Sequence, residues 1–180
     1  MRISENRPIA WGVLALAVLL SISLSGGKAM RDMRSEAERL FYGTNGGGSI
    51  NHDLDTRAEE SYKLASIASK YISEDDPALV KVKDLSTKLS EAKSVNDRYA
   101  ANKDLGSAVE DLYSKVEMAN LSEGDKDNTF RAYKDVQGKA DSIGRDPYNE
   151  EARKFNESIS KFPANVIAGF TGVSELPPFK

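Results

Sequence analysis

Between residues 146 and 163 the chain repeats one arrangement at a spacing of seven. Tyr148, Phe155 and Phe162 are rings, Ala152 and Ile159 fall four residues after the first two, Asn149 and Asn156 follow those rings directly, and Pro163 follows the third. On a helix this places three rings and two aliphatic side chains on one stripe, with the two amides one step round its edge. The pattern is the seam of a helix packed in a bundle.

Apolar residues recur at three to four along most of the chain upstream. Residues 28–42 predict a helix with Met30, Met33, Ala37, Leu40 and Phe41 on its stripe, ended by a loop over 43–49 with four glycines in six positions. Residues 50–72 predict the next, with Ile50, Leu54, Ala58, Tyr62, Ala65, Ala68 and Ile72 on one face and Asn51 or Asp53 as cap. Asp76-Pro77 marks either a kink or a capped new start, followed by Leu79, Val82, Leu85, Leu89 and Ala92. A soft break over 94–97 precedes a helix over 99–119 carrying Leu105, Val109, Leu112, Tyr113, Val116 and Ala119. Ser122 and Asp125 read as a capping-box-like start to the next, striped by Phe130, Tyr133, Val136, Ala140 and Ile143 and kinked at Asp146-Pro147. The apolar tail after Pro163 is expected to fold back on the bundle, and its Pro177-Pro178 cannot be helical. No window alternates with period two, so no sheet is expected.

The opening segment differs from all of these. No charged side chain occurs from Pro8 to Gly27, and residues 9–24 are almost wholly apolar. About 20 such residues span a hydrocarbon core roughly 30 Å thick. Residues 1–27 therefore read as a single-pass membrane anchor, contacting the bilayer over 9–25, with Trp11 at one interface. The competing reading is a cleaved signal peptide, with Arg2 and Arg7 as its basic region and Ser23-Leu24-Ser25 before Gly26. Lys28, Arg31 and Arg34 on the far side balance Arg2, Arg7 and the amino terminus, so positive charge favours neither orientation.

With 180 residues there is room for one ordinary domain beside that segment, residues 28–180. The net charge is −3; residues 1–27 carry +1, so the remainder, −3 less +1, is −4 and gives a nucleic-acid partner no electrostatic basis. The chain has no cysteine, which excludes disulfides, a thiol nucleophile and thiolate metal sites. His52 is the single histidine, so a histidine-based triad has no Gly-x-Ser-x-Gly elbow or cysteine to work with, and a di-iron bundle site lacks its ligands. The clustered carboxylates lie at helix starts and on polar faces, and Asp125-Lys126-Asp127-Asn128 lacks the glycine and glutamate of a calcium loop. No catalytic residue, metal site or cofactor is predicted, and the chain reads as a non-enzyme. The glycine loop follows a helix and ends in Ser49-Ile50, which fits no phosphate-binding motif. Six tyrosines at helical spacings (Tyr62, Tyr71, Tyr99, Tyr113, Tyr133, Tyr148) suit rings at the rim of a core better than an aromatic ligand groove.

The heptad stretch behind an apolar start resembles the LemA family, through Tyr148-Asn149, Phe155-Asn156, Phe162-Pro163 and the apolar tail ending near Phe179. Leu40-Phe41-Tyr42, the glycine loop, Ser49-Ile50, Asp53-Leu54, Arg57-Ala58 and residues 64–71 are similar to a branch of that family carrying such a loop. Glu91-Ala92-Lys93 departs from the alanine-arginine pair typical before the third helix. The resemblance implies an all-α fold, an antiparallel four-helix bundle with long, kinked helices, on one N-terminal transmembrane helix. It implies no reaction; the membrane proteins often encoded nearby imply a protein partner at the membrane. The expected function is a scaffold or adaptor at the cell envelope. The alternative is a small-ligand or sensing module using Tyr148, Asn149 and Asn156, whose amides otherwise set packing register through a neighbouring backbone or side chain.

Overall fold

Side chains that accept hydrogen bonds from helix-starting N–H groups set most of the element boundaries. In the computed structural model, which describes residues 7–43 and 48–179, the elements are α1 (Arg7–Tyr42), α2 (Ile50–Ala68), α3 (Pro77–Glu91), α4 (Val95–Lys103), α5 (Leu105–Glu117), α6 (Glu123–Arg145), α7 (Tyr148–Ser160) and α8 (Ala164–Thr171). No strand occurs among the described residues, so the fold is all-α. Asp76 caps α3 through the Ala78 N–H at 2.8 Å with Pro77 at the first helical position, and Ser122 caps α6 through the Asp125 N–H at 3.2 Å, both as expected. The cap of α2 is Ser49, accepting from the His52 N–H at 3.2 Å, rather than Asn51 or Asp53. Both of those lie inside the helix, and Asp53 instead pairs with Lys139 at 2.7 Å.

Three boundaries differ from the sequence reading. The helix expected over 50–72 ends at Ala68, where Lys70 and Tyr71 bond back three residues in a tighter turn. The helix expected over 99–119 is two, α4 and α5, because Asn102, Asp104 and Gly106 put three poor helix formers within five positions. At Asp146 the chain is extended, φ −66° and ψ 138°, as the residue before a proline prefers, so α6 and α7 are separate helices rather than one kinked helix. The tail adds α8, which stops at Gly172 in the left-handed region, φ 69°, where a side chain would be strained.

The chain forms two units. One comprises Glu38–Glu151 with Pro177–Lys180. Here α2 packs on α3, α5 and α6, and the core is Ile50, Leu54, Leu64 and Ala65 against Leu79, Val82, Leu89, Leu105, Leu112, Val116 and Val136. Tyr62 and Phe130, expected on the core stripes, are 51% and 49% exposed. Small buried residues take the centre instead: Ala58, Ser61 and Ala65 of α2 and Ser86 of α3, with Thr129 and Ala132 of α6. Small side chains let helix axes approach closely, and the large rings are displaced to the rim.

Two arginines are buried in this unit. Arg98 donates from Nε to the Ala92 carbonyl at 3.0 Å, from Nη1 to the Asn51 carbonyl at 3.0 Å and from Nη2 to Asp55 at 2.7 Å, joining the start of α2 to the end of α3 and to α4. Arg57 donates to the Asn102 amide oxygen, and burial pulls its pKa down to about 10. A Cβ on Gly106, at the start of α5, would meet its guanidinium at 3.5 Å, an ordinary contact distance.

The other unit comprises Met1–Ala37 with Ala152–Leu176. Ala152, Phe155 and Ile159 of α7, Ile167 and Ala168 of α8, and Met30 and Ala37 of α1 are buried, whereas Met33 is exposed. The expected anchor over 1–27 falls largely outside the described residues, which exclude residues 1–6 and the side chains of 7–10, 15–20 and 22–24. Trp11, Val13 and Leu14 are exposed. Among the described residues no helix is long and apolar enough to cross a membrane. The expected glycine loop also lies outside them over 44–47.

Arg98→Ala leaves two carbonyls and Asp55 without their donor. Asp55 is partly solvated, so urea unfolding followed by circular dichroism should show a loss of about 2–3 kcal/mol, below the range for a fully buried pair. Hydrogen bonds from Tyr71 and then Lys70 hold the Asp125 carboxyl below the usual range, and Lys115 and then the Ala78 N–H do the same for Asp76. Because the folded values lie below the unfolded one, this stabilisation is present above the ordinary aspartate pKa and is lost as pH falls through the folded values. A double Asp76→Asn, Asp125→Asn variant should therefore show a smaller fall in melting temperature than the parent between about pH 5 and pH 3.

Candidate functional site

The extended tail after α8 buries Leu176 and Phe179, and an extended buried strand of chain needs partners for its N–H and C=O groups. No neighbouring strand supplies them among the described residues. Two asparagine side chains do. In the unit holding Ala152–Leu176, the Asn156 Nδ2 donates to the Leu176 carbonyl at 2.8 Å and its Oδ1 accepts from the Leu176 N–H at 2.9 Å. In the unit holding Glu38–Glu151, the Asn149 Oδ1 accepts from the Phe179 N–H at 2.6 Å and its Nδ2 donates to the Ile143 carbonyl at 2.6 Å, near the end of α6. Each amide uses its acceptor and a donor on backbone groups.

Tyr148 is fully buried beside Asn149. Its hydroxyl donates to the Pro177 carbonyl at 3.1 Å, and its ring lies 5.5 Å from Phe41 and 6.0 Å from Phe179, both near edge-to-face. Tyr99 meets Phe179 edge-on at 5.3 Å, which completes a four-ring cluster around Phe179. Such pairs add about 0.5–1.5 kcal/mol each beyond burial. Asp146, whose carboxylate accepts from the Tyr148 N–H at 2.9 Å, is pushed up by burial and then by nearby Asp53.

Phe155 is buried as predicted, but Phe162 is not: it is 83% exposed, and so is Pro163 beside it. Helix α7 stops at Ser160, so the seven-residue spacing no longer places the third ring on the stripe; residues 161–163 form a turn with a cis Phe162-Pro163 bond, and α8 follows. The sequence reading named Phe41 and Phe179 but did not join them to Tyr148, and it missed Arg98. The signal for Arg98 was its place between Val95 and Ala101, both buried on the same helix face.

Two clefts among the described residues are lined by other side chains. One of about 370 Å³ lies between α2 and α3 against Tyr62, Ser86 and Ser90, and one of about 610 Å³ lies between α5 and α6 against Tyr113, Leu121 and Phe130. In the second, Tyr113 stacks on Tyr133 at 4.1 Å and donates to Glu117 at 2.6 Å. Burial, then Glu117, pushes the Tyr113 hydroxyl up to about 12. His52 is exposed in the first turn of α2. Among the described residues no group of three or more His, Asp or Glu side chains is placed to hold a metal ion.

Asn149→Ala should cost about 2–4 kcal/mol in urea unfolding, because it orphans a buried N–H and a buried carbonyl together; the half-exposed Asn156→Ala should cost about 1–2 kcal/mol. Phe162→Ala should change stability by less than about 0.5 kcal/mol.

Comparison with the curated proteins and with solved structures gives no match. The LemA family profile matches residues 48–180, which takes in the bundle helices, both asparagines and the tail they hold. A match over that much of the sequence places this protein in the LemA family.

Proposed function

We propose that this protein is a non-enzymatic scaffold at the cell envelope: an antiparallel four-helix bundle carried on a single-pass N-terminal membrane anchor, presenting surfaces to a protein partner. The observation that carries the reading is the uncharged run from Pro8 to Gly27, which belongs to a single helix, α1, continuing without a break to Tyr42. An apolar helix that continues directly into the folded part of the chain suits a retained anchor better than a cleaved leader. The exposed Trp11, Val13 and Leu14 at its start agree with this, since apolar side chains grouped on a surface mark lipid or partner contact. The four-helix description is supported by short connections between α2, α3, the broken pair α4 and α5, and α6, and by the packing of α2 against three of them. The side-chain amides of Asn149 and Asn156 both bond to backbone, and the acidic body suits proteins rather than nucleic acid as partners.

Sodium carbonate extraction of native membranes tests the anchor. The full-length chain should stay in the pellet, and full release into the supernatant would contradict it. Crosslinking with mass spectrometry in the same membranes should recover a recurrent membrane-protein partner linked through lysines of the bundle.

A further inference from the structure

Helix α8 has no charged residue over Ala164–Thr171, an unusual composition for a helix with one side in water. It is docked on α1 at one place. A Cβ on Gly26 would lie 3.1 Å from Ile167, and one on Gly27 would lie 2.6 Å from Thr171, so this glycine pair is what lets α8 approach. Arg31 reaches the Thr171 carbonyl at 3.5 Å, and Arg34 reaches Ser174 Oγ at 3.2 Å and the Glu175 carbonyl at 3.4 Å; cations on the carboxyl end of a helix are favourably placed. With Ile167 and Ala168 buried, Val166 and Phe170, four apart on α8, are 47% and 82% exposed, and Phe162 in the turn before the helix is 83% exposed.

The glycine pair fixes where that stripe sits. Gly26 is two residues beyond Leu24, the end of the apolar run, which is a rise of about 3 Å along α1. A helix held at this height against an anchor lies at the level where hydrocarbon meets headgroups. An exposed phenylalanine on an uncharged helix, with Phe162 in the turn before it and Lys161 and Lys28 nearby in sequence, suits the apolar side of a helix resting in that layer. We infer that α8 is an interfacial membrane helix whose exposed Val166 and Phe170, with Phe162 of the preceding turn, enter the lipid surface beside the anchor. This rests on the anchor reading proposed above and adds a second lipid contact that fixes how the base of the domain meets the bilayer.

The single Trp11 makes the two ideas separable. The full-length protein is reconstituted into phosphatidylcholine vesicles containing phosphatidylglycerol, with bromine at defined acyl positions, once as the natural chain and once as a Trp11→Phe, Phe170→Trp variant. Emission of the Phe170→Trp probe should be blue-shifted and lost to bromine placed near the headgroups, more than to bromine near the bilayer centre. Quenching of Trp11 alone would overturn the inference and leave the anchor standing, and quenching of neither would end both. Quenching of the Phe170→Trp probe alone would support α8 as a lipid-binding element while removing the anchor. A blue shift without bromine quenching would mean that protein, a second copy or a partner, covers the stripe, and would overturn the inference.

Discussion

A buried stretch of chain that is neither helix nor strand must find partners for its backbone from side chains, and the carboxyl tail of this protein is such a stretch. Pro177 and Pro178 bar it from helix, and Leu176 and Phe179 bury it. Asn156 meets both backbone groups of Leu176, and Asn149 meets the Phe179 N–H while its other end holds the Ile143 carbonyl. Neither glutamine nor aspartate substitutes simply: the longer side chain changes the reach, and a carboxylate has no donor for the carbonyl. Hydrogen bonding of this kind contributes little net stability for each bond made, but leaving the groups unpaired is costly, so the asparagines act mainly by making the buried arrangement permissible.

With the tail backbone satisfied, Phe179 can be inserted among Phe41, Tyr99 and Tyr148. The ring cluster thus joins the end of α1, α4, the start of α7 and the tail within one unit, four segments far apart in sequence. Arg98 does the same for the start of α2, the end of α3 and α4. These arrangements hold helices and tail together.

Much of this was legible in the sequence because it rests on local chemistry. Asp76-Pro77 and Ser122 announce helix starts by capping, and Tyr148, Ala152, Phe155 and Ile159 announce a buried stripe by spacing. What was not legible depends on where one helix meets another. Tyr62 and Phe130 obey the period of their stripes, yet the close approach of α2 to its neighbours reserves the centre for Ala58, Ser61 and Ser86. Phe162 continues the seven-residue rhythm of residues 148–159, but rhythm has no meaning beyond Ser160, where the helix ends. That Asn149 and Asn156 have specified partners was foreseeable, but not that these are backbone groups of residues 176 and 179, since only the folded tail brings those residues to them. Arg57 was visible only as part of a family motif; its burial against Gly106 is a tertiary fact.

The central claim is that the two asparagine side chains supply the tail with its missing backbone partners. Amide hydrogen exchange of the full-length protein, read at Leu176 and Phe179, tests it most directly. Both N–H groups should exchange orders of magnitude more slowly than an open chain, with Leu176 losing its protection in Asn156→Ala and Phe179 in Asn149→Ala. Exchange at open-chain rates in the unsubstituted protein would contradict the account.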